Sequence, residues 1–330
     1  MRKLLLSTTA LATAAALTAG AAVADVSITA STLFQYVTMG STVAAKDGSY
    51  NVTDSEVAVN FSNKTDSGLT IAYKVELETD EASTTNADEN SFSISGGFGK
   101  VSFGQMDGAA DDFAIAAQDA IAEEVGLTFT SSSINQSSEM QGGTDATKIA
   151  YHTPSISGFT AGISYTDSGT AAAANTSTDT TEWGAKYSLD AAGAVVTLGV
   201  GSSKQENATK DLTTDAIGVS VVSGNITGIL SSSTYKADDE NIQNRGIGLT
   251  YNMGNGLVLG GYNFKSEDSA DEGEELTRKG VEAQYTIAPG LTAMLTVEDY
   301  VYNVVAATHE ETAPVADKGQ ATTFTIKATF

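Results

Sequence analysis

Residues 69–78 read LTIAYKVELE, and their alternation decides the architecture. Leu69, Ile71, Tyr73, Val75 and Leu77 fall on one side of an extended chain, and Thr70, Ala72, Lys74, Glu76 and Glu78 on the other. Strict period-two patterning over this length is the signature of a β-strand with one apolar and one polar face. The pattern recurs in both directions along the chain. Val26, Ile28, Ala30, Thr32, Phe34 and Tyr36 share a face in one run, and Val57, Val59 and Phe61 in the next. Later runs place Phe159, Ala161, Ile163 and Tyr165 together, then Trp183, Ala185, Tyr187 and Leu189, then Val281, Ala283, Tyr285 and Ile287. The run Gly254–Phe264 is weaker because glycines blur its period.

Connectors between runs are of two kinds. Short ones carry turn residues, at 63–68, 96–99, 155–158, 190–193, 223–225, 252–256 and 288–290. Long ones are polar and acidic, at about 37–52, 79–89, 107–147, 167–181, 203–214, 236–244, 265–277 and 301–321. The two kinds alternate strictly, and eight long plus seven short connectors join sixteen strands. An even number of antiparallel strands, with every short turn and both termini at one end, is the plan of an outer-membrane barrel. The expected fold is therefore all-β: a 16-stranded antiparallel transmembrane β-barrel. Sixteen strands enclose more room than side chains fill, so an aqueous channel is expected.

Composition agrees. Residues 1–24 have a basic start at Arg2 and Lys3, an apolar stretch from Leu4 to Leu17 and a small-residue end at Ala22-Val23-Ala24, the pattern of a cleaved signal peptide; the barrel is expected over residues 25–330. Beyond residue 24 there are 15 basic and 41 acidic residues, a net charge of −26, which disfavours nucleic acid as a partner. No window beyond the leader supplies the ~20 apolar residues of a spanning helix. The mean hydropathy of −0.08 suits strands that alternate lipid-facing and water-facing residues. There is no cysteine, so no disulfide or thiol chemistry.

The final strand, TTFTIKATF at 322–330, puts Phe324, Ile326, Ala328 and Phe330 on one face and ends on an aromatic. With this ending, and with Gly104-Gln105-Met106-Asp107-Gly108-Ala109 standing before the third long connector, the chain resembles the general (non-specific) outer-membrane porins of the alphaproteobacterial, Rhodobacter-like type. That resemblance implies passive passage of small hydrophilic solutes and ions and a homotrimer embedded among outer-membrane lipid and lipopolysaccharide. It also implies a third loop folded inward as a constriction, and a C-terminal Phe330 read by the barrel-assembly machinery.

The third long connector holds no Lys or Arg between Lys100 and Lys148 but eight carboxylates, among them Asp107, Asp111, Asp112, Asp119, Glu123 and Glu124. Inside a barrel these would face a basic wall and set a size limit and a transverse field; on the outside they would be a solvated acidic loop. Its first part, Ala109–Val125, has a helix-like mixture of Ala, Ile and acids. Strand parity puts Lys74, Lys148, Lys186, Arg278 and Lys327 on the lumen face, where a charge avoids the ~2–4 kcal/mol that lipid exposure near mid-membrane costs. The wall is lysine-based, whereas the family pattern commonly uses an arginine cluster.

No cofactor is expected. Acidic clusters at Asp80-Glu81, Asp88-Glu89, Asp238 to Glu240, Asp271 to Glu275 and Glu310-Glu311 offer oxygen ligands for structural Ca²⁺, or are plain solvated surface. Tyr36, Phe61, Tyr73, Phe159, Tyr165, Trp183, Tyr187, Tyr251, Tyr285, Tyr300 and Phe330 are candidates for the interfacial girdles. Nothing marks an enzyme: His152 and His309 are the only histidines, His152 reading as a pore-lining residue, and Gly199-Val200-Gly201 lacks the helix that a dinucleotide fingerprint requires. Net charge predicts moderate cation selectivity. Two rivals stand beside this reading. A substrate-specific channel would need a row of lumen aromatics or a basic cluster, neither of which the pattern shows; a surface adhesin would show no ion conductance, and an outer-membrane hydrolase would need a Ser/His/acid set centred on His152 or His309.

Overall fold

The computed structural model describes residues 25–41, 46–79, 87–122, 146–167, 179–206, 211–237, 240–268, 274–303 and 316–330. The signal peptide expected over 1–24 lies outside them. The sixteen strands are β1 (Asp25–Ser41), β2 (Lys46–Lys64), β3 (Thr70–Glu78), β4 (Ala87–Gly96), β5 (Gly99–Gln105), β6 (Thr147–His152), β7 (Phe159–Thr166) and β8 (Thr180–Ala191), followed by β9 (Ala194–Gln205), β10 (Leu212–Ser223), β11 (Ile226–Ala237), β12 (Glu240–Gly254), β13 (Leu257–Asp268), β14 (Glu275–Ala288), β15 (Leu291–Asn303) and β16 (Ala316–Thr329). Each pairs with its neighbours in sequence, and β1 pairs with β16, closing an antiparallel barrel. Closure leaves no unpaired sheet edge. Phe330 takes part: its N–H donates to the Ala30 carbonyl at 2.8 Å, and its carbonyl accepts from the Ala30 N–H at 3.2 Å.

The alternation read from sequence becomes two faces. In β3, Tyr73 and Leu77 are exposed, while Lys74 pairs with Glu76 and Glu89 on the other side. Ile28, Phe61, Phe159, Ile163, Trp183, Tyr187, Ile217, Leu230, Val281 and Phe324 are exposed in the same sense around the barrel. This outward apolar face is the one a transmembrane barrel offers to lipid. Cross-strand aromatic stacks, Phe61 on Tyr73 at 6.2 Å and Phe92 on Phe103 at 6.4 Å, add to it. Two-residue turns hold the hairpins at the short end. Ala192-Gly193 and Asn255-Gly256 each have positive φ at both positions, the geometry that matches strand twist.

Three expectations change. The ladders run further than the apolar alternation: β1 and β2 still pair at Met39 and Lys46, β11 and β12 at Ala237 and Glu240, so several long connectors are shorter than read. Backbone hydrogen bonding continues beyond the apolar band, where side chains turn polar and the pattern fades. Tyr300 does not belong to a girdle; it is 1% exposed on the opposite face and donates to Asp317 at 2.9 Å. That face is also less uniformly polar than expected. Tyr262, Phe264, Leu276, Tyr300 and Tyr302 form a buried cluster there, so aromatics do occur on it, but packed rather than lining open water.

Candidate functional site

The described part of the third long connector, residues 106–122, lies along the face opposite the exposed apolar one and crosses from β7 to β14. It follows β5, in which Gly104 has φ +138° and a side chain would collide with the Asn90 backbone. Gly108 then passes directly over the Glu182 carboxylate, where a Cβ would overlap it. These two contacts give physical reasons for both glycines of the GQMDGA segment. Within the helix-like stretch Ala109–Val125, of which residues 123–125 lie outside the described ones, two short 3-10 turns form, at Asp111–Phe113 and Ala117–Ala120, with extended backbone at Ala114 and Ala116. An extended link covers more strands per residue than a helix does.

Side chains sort sharply along this segment. Ala109, Ala110, Phe113, Ala116, Ala117, Gln118, Ala120 and Ile121 are buried against the wall, while Asp107, Asp111, Asp112 and Asp119 are exposed. The wall receives the segment with glycines. A Cβ on Gly184 or Gly201 would lie 2.8 Å from the carbonyl oxygen of Ala109 or Ala110. At Gly199, Gly218, Gly248 and Gly260 it would overlap the carbonyls of Phe113, Ile115, Ala117 and Ala120. Backbone therefore rests on backbone over strands β8, β9, β10, β12 and β13. In the sequence this track shows only as the same-face spacings Gly199/Gly201 and Gly246/Gly248, which by themselves do not reveal what lies over them.

Polar pins fix the segment along its length. The Ala109 N–H donates to Ser164 Oγ at 2.9 Å, and Ser164 in turn donates to Glu182 at 2.9 Å, beside the buried Lys148 at 3.9 Å. The Ala117 N–H donates to Ser231 Oγ and the Ala122 N–H to Glu282 Oε1, both at 2.9 Å, and Thr250 donates to the Ala120 carbonyl at 3.1 Å. Near the first turn, His152 Nε2 and Asp112 Oδ2 are 2.7 Å apart, the imidazole stacks on Phe113 at 5.7 Å, and Lys186 Nζ donates to the Asp112 carbonyl at 3.1 Å. His152 is thus an anchor for the segment rather than a plain lining residue. Burial works against ionisation of Asp112, but the hydrogen bond and charge of His152, with Lys100 and Lys186, outweigh it and hold the carboxyl below its ordinary value. Asp119 shifts upward because burial dominates over the Ala116 N–H and the Lys186 charge.

The expected basic residues all lie on the face opposite the apolar one but do not gather. Lys186 touches the segment, and Lys148 sits beneath its start. Arg278 is 3% exposed and bound to Glu298 at 3.2 Å, which also accepts from Tyr262. Lys74 is on β3 with its two glutamates, and Lys327, opposite Thr292 and Leu33, is near the short-turn end. Lys100, opposite His152 in the ladder, joins the Asp112 group and was not among the expected wall residues. Glu123 and Glu124 lie outside the described residues, as do Asp80, Glu81, Asp238, Asp239, Glu310 and Glu311. Among the described residues, no three His, Asp or Glu are placed to hold a metal ion.

A closed sixteen-stranded barrel with an apolar outer face and a polar inner lining is the form of an outer-membrane channel protein. The family model for Gram-negative porins matches residues 8–303, and the chain belongs to that family. It is therefore an outer-membrane β-barrel of the passive-channel class rather than an enzyme. Comparison with curated proteins finds no match. Solved structures share the fold at low identity. The anion-selective porin from Comamonas acidovorans is 15% identical, with 93% of this chain and 100% of that one covered and a TM-score of 0.66. OmpT, an outer membrane protein of Vibrio cholerae in trimer form, is 13% identical, with 93% and 99% covered and a TM-score of 0.66. A triple mutant of the Rh. blastica porin is 17% identical, with 92% and 100% covered and a TM-score of 0.60.

Proposed function

We propose that the chain is a general diffusion porin of the Rhodobacter-like type, passing small hydrophilic solutes and ions through a lumen narrowed by residues 107–122. The observation that carries this reading is the sorting of that segment: its alanines, Phe113 and Ile121 are buried against the wall, while Asp107, Asp111, Asp112 and Asp119 remain exposed, Asp112 at the edge where it meets His152. Carboxylates along this segment would set a size limit, and with Lys186 and Lys100 beside Asp112 they would place charges of both signs at the constriction. Fold alone does not set the sign of selectivity, since the Comamonas relative is described as anion-selective. Here the exposed aspartates and the net charge of −26 beyond residue 24 favour cations. A homotrimer is the proposed assembly, supported by the trimer form of the Vibrio relative. Phe330 is proposed as the residue read by the assembly machinery.

Reversal potentials of the reconstituted protein in a KCl gradient, with single-channel steps and exclusion of graded neutral polymers, test this reading. Cation-side potentials, steps in threes and a small size cutoff are expected. An anion-side potential would show that the wall lysines dominate.

A further inference from the structure

Among the described residues, cations on the strands divide by face. Lys64, Lys74, Lys100, Lys148, Lys186, Arg278 and Lys327 share the inner, polar face. Lys204, Lys236, Arg245, Lys265, Lys279 and Lys318 point outward, as their ladder partners Thr181, Thr213, Ser232, Thr277, Asn263 and Val301 show. All six of these outward cations lie on β9–β16 towards the long connectors, and no outward cation is described on β1–β8. Lys204 is paired with Asp211 at 2.8 Å, so the belt's capacity for an anionic partner at the membrane surface depends on its other members.

The belt is densest on three adjacent strands. Arg245 of β12 and Lys265 of β13 stand directly opposite each other, and Lys279 of β14 is diagonal to Lys265, across from Asn263. Directly opposed like charges repel, and their Cβ atoms are only about 5 Å apart, with diagonal neighbours at about 7–8 Å. Glu267 and Glu275 bind Lys265 at 2.6 and 3.0 Å from one step further towards the long connectors. Asp299 faces Lys279 in the ladder but accepts from Gln320 at 2.7 Å. Lys279 has no ion-pair partner among the described residues.

Immediately on the membrane side of this group, the outward face is grooved. Gly261 stands between Leu249 and Val281 in the ladder, in a shallow open depression of about 460 Å³ that Ile247, Leu259 and Asn263 also border. From the groove upward along β13, the outward positions are Leu259, Gly261, Asn263 and Lys265: apolar wall, gap, amide, cation. That order matches an amphiphile whose chain lies in the gap and whose phosphate meets the amide and the cations.

We propose that the outward face of β12–β14 is a binding site for a phosphorylated glycolipid of the outer leaflet, with one acyl chain over Gly261 and a phosphate held by Arg245, Lys279 and Asn263, with Lys265 beside them. The site rests on the long connectors facing the cell exterior and is independent of where residues 107–122 lie. Native mass spectrometry of the detergent-solubilised protein, titrated with bisphosphorylated lipid A and with the same lipid after phosphate removal, tests it.

Wild type should retain one lipid A per chain at this site and bind the dephosphorylated lipid about tenfold more weakly. The double variant R245Q/K279Q should lose about tenfold in affinity for lipid A, and G261L, which fills the groove, should weaken both lipids. At Gly261 a new Cβ would lie 3.2 Å from the Gly280 carbonyl oxygen, 0.2 Å inside ordinary contact, so the backbone there must give slightly. Resistance of the folded band to SDS before heating confirms that each variant is folded. No binding by wild type, equal binding of the two lipids, or unchanged binding by the folded double variant would overturn the proposal. Conductance recorded on the same samples bears only on the pore reading, so the two fail separately.

Discussion

Replacing Gly184 by Val tests how the third connector is seated. A Cβ at this position would lie 2.8 Å from the Ala109 carbonyl oxygen and from Cβ and Cδ2 of Phe113, whereas ordinary contact begins at 3.4 Å. The shortfall is 0.6 Å on three atoms before the two methyl groups of Val are added. Overpacking of this kind costs about 1–3 kcal/mol. Strand β8 itself accepts Val readily, because β-branched residues favour extended backbone. The strain therefore falls on the segment. Its pins at Ser164, Ser231, Thr250 and Glu282 each contribute about 0.5–1.5 kcal/mol net, somewhat more where a carboxylate is the acceptor. The strain thus equals one to three of them, enough to lift residues 109–113 from the wall but not to open a closed ladder. In planar bilayers the folded G184V channel should show lower conductance and more open-channel noise than wild type, as the lifted segment moves across the lumen. Unchanged conductance and noise in a folded barrel would refute the seating.

Two further outcomes follow from the same geometry. Asp112 is held below the ordinary Asp value of 3.8, so its link to His152 stabilises the segment fully above that pH and is lost only as pH falls through the lower, folded value. Asp119 is shifted the other way: it reaches solvent, but the protein around it removes enough water to favour the protonated form, so it is neutralised first on acidification. Cation preference, read from reversal potentials at stepped pH, should therefore decline before open-channel noise rises, and H152A should be noisy at neutral pH. Arg278→Leu leaves the fully buried Glu298 without its cation, a loss of about 3–5 kcal/mol for a broken buried pair. The temperature at which the folded band disappears on SDS gels should drop, and R278L/E298L should recover most of the loss.

The strand plan was readable because period two is enforced twice, by lipid outside and by water or packing inside. At Tyr73 and Lys74 the two faces differ so strongly that no other register is plausible. Strand ends were less readable, since beyond Val37 and Ser49 the outward positions lose their apolar character and the alternation stops reporting a ladder that continues to Met39 and Lys46. Tyr300 was misplaced because it was grouped by residue type and not by parity: Val301 next to it carries the outward position. In the connector, the absence of cations was evident from sequence, but the seat was not. Close backbone approach is encoded by missing side chains on β8–β13, a signal that emerges only when strands far apart in sequence are laid side by side. His152 and Asp112, forty residues apart, meet for the same reason.

Single-channel recording of a variant lacking Asp111–Ala122 tests the central claim most directly. If these residues narrow the lumen, the folded variant should conduct more per step and admit larger neutral polymers than wild type. A folded variant with wild-type conductance and size cutoff would contradict the account and place the segment outside the conducting path.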